Sequence, residues 1–132
     1  MEKAYSIGMA NRGADNPDRA ERADRADILQ GTLDLMILQT LSSLGPSHGY
    51  AIAARLAQVS NGSVQLNMGT LYPGLMRLEQ RGFVRGTWGV SDNNRKARFY
   101  GLTAAGRRQL AAGKDEWQRT VALMHALLHE QA

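Results

Sequence analysis

Between positions 70 and 81 lie five side chains of the types that grip phosphate or the edge of a base: Thr70, Tyr72, Arg77, Gln80 and Arg81. Hydroxyl and guanidinium groups donate hydrogen bonds to phosphate oxygens, and an arginine can fork onto the O6/N7 edge of guanine. A second group, Arg95, Lys96 and Arg98, follows a turn-rich Asn93-Asn94. Cations at a loop tip can lie along a phosphate backbone or enter a minor groove. The same residues admit plainer accounts. The arginines can simply be solvated, with Glu79 near enough to screen them. Tyr72 can be half-buried packing, and cations beside a hairpin discourage unwanted strand pairing.

The distribution of charge bears on the choice. The chain has 16 Lys+Arg and 12 Asp+Glu, a formal net charge of +4. Residues 1–26 carry five of each sign, which cancel, whereas residues 70–100 carry six basic residues against two acidic ones. A basic segment in an otherwise balanced chain suggests a polyanionic partner.

Other chemistries find little support. There is no cysteine, which excludes disulfides, cysteine–zinc sites and thiol catalysis and fits a reducing cytosol. No Ser-His-Asp order, phosphate loop or pair of carboxylates on one helical face is visible, so an enzyme reading has nothing to rest on. His125 and His129 have a spacing that can hold a metal, but only Glu130 stands near, and they read as a surface pair. No metal or cofactor is expected. The longest apolar stretch, Leu33 to Leu44, is broken by Asp34, Gln39, Thr40, Ser42 and Ser43. It is far short of the roughly 20 residues that span a bilayer. The opening MEKAYSIGMANRG lacks a secretory apolar core. A cytoplasmic protein without membrane contact is expected.

The elements that must position these groups follow from hydrophobic spacing. Residues 1–26 are polar, without a sustained apolar period, and read as a mobile extension. From Asp27 onward, Leu29, Leu33, Met36, Ile37, Leu41 and Leu44 recur at three and four, one face of a helix that Gly45-Pro46 ends. Ser47 can cap a second helix over 48–58, with Tyr50, Ile52, Ala53 and Leu56 as its apolar set. Asn61-Gly62 marks a turn, and Val64-Gln65-Leu66 is a short strand candidate.

The segment GTLYPGLMRLEQRGFV, 69–84, holds the third helix, roughly 68–81. On a helical wheel Leu71, Leu75, Leu78 and Gly82 fall within about 60° of one another and face a core. Gly69, Thr70, Pro73, Arg77 and Gln80 fall opposite, with Arg81 at the edge. With Thr70 as the cap, Pro73 lies in the first turn at no cost. With Asn67 as the cap, one helical hydrogen bond is lost. Local rules lean towards Thr70.

After Gly82, two β-prone runs, 83–88 and 98–102, flank a turn-rich loop and predict an antiparallel hairpin. Thr103 can cap a last helix over about 104–129. Its Leu110, Trp117, Val121, Met124 and Leu128 have the spacing of a coiled-coil seam, with Lys114 as a polar member. Three helices, a hairpin and a long amphipathic helix make a mainly α chain with a small β-hairpin, the winged helix-turn-helix order. The division is a 1–26 extension, a 27–103 winged helix-turn-helix domain and a 104–132 helix.

In LQGTLDLMIL (29–38), GPSHGYAIAARL (45–56), GTLYPGLMRLEQRGFV (69–84) and RKARFYGLTAAGRRQL (95–110), the sequence resembles the PadR family of bacterial transcriptional regulators, short type with a single C-terminal helix. The resemblance implies a homodimeric regulator, a repressor by expectation, that binds an inverted repeat in double-stranded DNA. It puts Thr70, Tyr72 and Arg77 in a recognition helix, Arg95 and Lys96 in the wing, and Leu110 to Leu128 in the dimerisation helix. Arg81 and Arg98 join the DNA-contact set by position. His48-Gly49-Tyr50 matches the start of the second helix, with Gly49 as a tight entry and Tyr50 as a packed ring. The polar run Gly113 to Glu116 interrupts the seam, so the first turns of the last helix can meet solvent or the first helix instead. Trp117 reads first as a dimer anchor and secondly as a stacking wall for a small aromatic effector. Two other functions remain open: a winged-helix protein-interaction module, and a ligand sensor whose DNA binding is weak.

Overall fold

The computed structural model describes residues 32–130, of which Leu33 onward belong to one compact unit. The extension over 1–26 and Leu29 lie outside the described residues.

Helix α1 occupies residues 32–44. Leu33, Ile37, Leu38 and Leu41 are buried, while Leu44 is exposed, so the apolar face is one residue set narrower than its spacing suggests. Thr40 is buried without cost because its hydroxyl donates to the Met36 carbonyl at 2.8 Å. The chain leaves the helix through Gly45, whose φ of +80° only glycine adopts easily.

Helix α2 spans Gly49–Val59. Its cap is His48, not Ser47: the His48 imidazole Nδ1 accepts from the Ala51 N–H at 3.2 Å. Ser47 has another task. Its backbone exchanges two hydrogen bonds with Tyr100, at 3.0 and 2.9 Å, pinning the hairpin to the start of α2. Ile52 is fully buried, whereas Tyr50 is 70% exposed, so Tyr50 is not a packed ring. Residues 64–66 form no strand, although Leu66 still packs against the core.

Helix α3 spans Met68–Gln80, and its cap is Asn67, whose side-chain oxygen accepts from the Thr70 N–H at 2.9 Å. Pro73 therefore sits inside the helix and deprives the Gly69 carbonyl of its partner. Thr70 loses to Asn67 because an asparagine three residues upstream already satisfies its amide. Leu71, Leu75 and Leu78 are buried to 1% exposure or less. Each is worth about 1.5–3 kcal/mol of burial. Gly82 is exposed, and serves the turn through its φ of +81° rather than facing the core.

Strands β1 (Val84–Val90) and β2 (Lys96–Leu102) pair antiparallel from Val84↔Leu102 out to Val90↔Lys96. The hairpin is longer and its loop tighter than the turn-forming composition suggests. Only Ser91 to Arg95 turn, with Asn94 at a φ of 59° and its N–H bonded to the Ser91 carbonyl.

Helix α4 spans Ala104–Leu128, capped by Thr103, which accepts from the Gly106 N–H at 3.0 Å. Gly106 is buried, and a Cβ there would collide with the Phe83 carbonyl, so only glycine lets α4 cross the start of the hairpin. Leu110 is 6% exposed and belongs to the core cluster. This corrects its place in a dimer seam: its side chain is already spent inside its own domain. Gly113 then lies against Leu35 of α1. No helix among the described residues is long and apolar enough to cross a membrane.

Candidate nucleic-acid interface

Strand alternation and register build the wing from the core outward. Val84, Gly86, Trp88 and Val90 share one face of β1, and their partners Leu102, Tyr100, Arg98 and Lys96 share the matching face of β2. At the base this face is core, with Val84 and Tyr100 buried. Farther out the same face opens to solvent. There Trp88 is 62% exposed, and the cations of β2 fold back on it. Lys96 Nζ stands 4.9 Å from the indole centroid and the Arg98 guanidinium 5.7 Å from it. Such contacts hold cations in place at a small entropic cost.

Arg98 is held from the other side as well. Its Nη2 donates to Glu79 Oε2 at 2.7 Å, and the same carboxylate oxygen accepts the Gly86 N–H at 3.1 Å. One acidic side chain at the end of α3 therefore binds both strands of the wing. The hydrogen bond to Glu79 raises the Arg98 pKa further above its ordinary value. Burial raises that of Tyr100, against the opposing pull of the Arg98 charge.

On α3, Thr70 is half-buried near the N-terminus and Tyr72 is 37% exposed. The Tyr72 ring lies across the start of α2, where a Cβ on Gly49 would come within 3.0 Å of its hydroxyl oxygen. Gly49 is a tight entry for this reason. Arg77 does not stand free on the outer face: its Nη2 pairs with Asp34 Oδ1 of α1 at 3.1 Å, both side chains about one-third exposed. Arg81 is exposed at the C-cap of α3, about 16 Å along the axis from Thr70.

Of the residues singled out in the sequence, Tyr72, Arg95, Lys96 and Arg98 line one groove between the wing, α3 and the start of α2. Thr70, Arg77 and Arg81 lie outside its lining. The groove also takes in His48, Tyr50 and Trp88, which spacing alone did not single out. Trp88 was accessible to a period-two reading, since it lies two pairs along the face from Val84. Tyr50 was masked by its apolar neighbours Ile52 and Ala53.

Beyond Gly113, every described residue of α4 is exposed. Trp117, Val121, Met124 and Leu128 are 45–73% exposed and fall within about 60° of one another on the helix. An exposed apolar stripe of this kind marks an interaction surface. At its end the His125 and His129 rings stand 4.3 Å apart, and no group of three or more metal-ligating side chains occurs among the described residues.

The profile of the transcriptional regulator PadR-like family matches residues 37–112. An uncharacterised protein of Lysinibacillus sphaericus is 30% identical over 93 residues, covering 70% of this chain and 84% of the relative. Among solved structures, a PadR family transcriptional regulator from Eggerthella lenta superposes with a TM-score of 0.70 at 25% identity, over 86% of this chain and 96% of its own. A PadR-like transcriptional regulator from Bacillus cereus superposes with a TM-score of 0.68 at 27% identity, over 80% and 99%.

Proposed function

The chain belongs to the PadR-like family of transcriptional regulators, and from that premise we propose that it works as a homodimeric repressor bound to an inverted-repeat operator. The observation that carries the reading is the shared groove. Tyr72 of α3 and the cations Arg95, Lys96 and Arg98 of the wing face one space, so helix and wing offer a single basic surface to a duplex. In this reading Thr70 and Tyr72 meet the DNA at the start of α3, Arg77 leaves Asp34 to reach a base edge, and Arg81 takes a phosphate at the far end. The wing cations lie along the backbone or in the adjoining minor groove.

The stripe Trp117, Val121, Met124 and Leu128 supports pairing of two copies through α4, with Trp117 as an anchor. Paired helices hold two recognition helices about one turn of DNA apart, near 34 Å. Repression follows by occupying a promoter.

Selection from a random duplex library with the purified chain, at about 150 mM salt so that unspecific phosphate binding is weakened, tests the proposal. An inverted repeat with two half-sites is expected. Recovery of no motif would sink the sequence-reading dimer.

A further inference from the structure

We infer that Met76 is a specificity-determining residue of α3, and that it takes the C5-methyl group of a thymine in the major groove. The inference rests on the operator reading above and names one base contact within it.

The exposed face of α3 is not its arginine face. Within the helix, Gly69, Tyr72, Pro73, Met76 and Gln80 are the exposed residues. At 100° per residue they fill an arc of about 100° opposite Leu71, Leu75 and Leu78, and Met76 lies within about 10° of its middle. None of these residues is charged. Arg77 is held by Asp34 of α1 at 3.1 Å, and Thr70, on the same side of the helix, is half-buried. The outward face of α3 is therefore neutral, while the cations Lys96 and Arg98 stand on the wing. Cations grip phosphate, which leaves the neutral face to meet base edges.

Met76 is 56% exposed. It belongs neither to the buried core cluster nor to the apolar residues packed against it. Its neighbours on the arc offer less. Gly69 and Pro73 have little reach, the Tyr72 ring lies across the start of α2, and Gln80 is the last residue of the helix. A thioether on an unbranched chain donates no hydrogen bond, accepts weakly and makes adaptable apolar contacts. In the major groove thymine alone among the four bases presents an apolar group, its C5-methyl. The chemistry of Met76 therefore selects thymine, and it needs no ion pair to open first.

The test uses the full chain and the operator recovered by library selection, with each thymine replaced in turn by deoxyuridine, which removes only the methyl group. In the native chain, replacement at one position in a half-site is expected to weaken binding about fourfold, the worth of one buried methyl group. Met76→Ala is expected to bind the thymine and uracil duplexes equally at that position, to keep its response at every other thymine, and to unfold at the native temperature because Met76 is exposed. No uracil position that distinguishes the two chains, or a Met76→Ala chain weakened equally on both duplexes, would overturn the inference and leave the operator reading standing. A library that returned no motif would sink both.

Discussion

Glu79 and Arg98, nineteen positions apart, meet at 2.7 Å and tie the end of α3 to the second strand of the wing. Because the same carboxylate oxygen accepts the Gly86 N–H, it sets the angle of the wing as well as neutralising an arginine. Glu79→Gln removes the negative charge and slackens that hold. Affinity for random duplex is expected to rise while affinity for the operator does not, so the ratio of the two dissociation constants falls. An unchanged ratio would mean that the wing keeps its angle without Glu79.

Asp34 of α1 holds Arg77 of α3 in an ion pair at 3.1 Å. Asp34→Asn frees Arg77 for phosphate or base. The expected stability loss is small, about 0.2–1 kcal/mol for a partly exposed pair, and is read by urea unfolding. Duplex binding is expected to tighten, and its logarithmic salt dependence to steepen by about 0.9, one more phosphate contact.

Leu110 and Val121 sit on one helix but answer to different partners. Leu110→Ala opens the winged-helix core and is expected to cost about 2–5 kcal/mol of folding stability, with no direct effect on association. Val121→Asp puts an unpaired carboxylate in the stripe. It is expected to raise the dimer dissociation constant by a hundredfold or so and to leave monomer unfolding nearly unchanged. Sedimentation and thermal unfolding of both variants check the pair.

Gly49 and Tyr72 form a steric couple, since a Cβ at Gly49 would press on the Tyr72 ring at 3.0–3.4 Å. Gly49→Ala is expected to weaken operator binding in the native background. In a Tyr72→Leu background, where no ring overlies α2, the same substitution is expected to be neutral. A double-mutant cycle measures the coupling.

Burial raises the Tyr100 pKa from its ordinary 10.0. The folded chain therefore holds this proton more tightly than the unfolded chain does. The contribution is complete below about pH 10 and is lost as pH rises through the folded value. Tyr100→Phe is expected to flatten the alkaline decline of the urea midpoint above pH 10 relative to the native chain, and to leave the curve near neutrality unchanged in shape.

Much of this arrangement was legible in the sequence, because it rests on local rules. Leucines at three and four announce α3, Thr103 caps α4, and the basic excess of 70–100 falls on α3 and the wing. Partner choice was not legible. Nothing in spacing says that Arg77 finds Asp34 forty-three positions away, or that Glu79 reaches past its helical neighbours to Arg98. Ser47 and Leu110 failed for a related reason. Ser47 is a good cap by type, but tertiary pairing with Tyr100 claims its backbone and hands the cap to His48. Leu110 fits the seven-residue step of the stripe, yet the first turns of α4 are already packed on their own domain.

The Thr103 hydroxyl, besides capping α4, donates to the Gly82 carbonyl at 2.6 Å, just past the end of α3. The root of α4 is thus bolted to the tail of α3, and α4 acts as a lever with its fulcrum at Thr103. From Thr103 to Leu128 its arm is about 37 Å long. A shift of about 5 Å at the free end turns such an arm by roughly 8° about its root, and the Thr103–Gly82 contact carries that rotation towards α3. In the proposed dimer, whatever changes how the far ends of two such levers meet would re-aim both α3 helices at once.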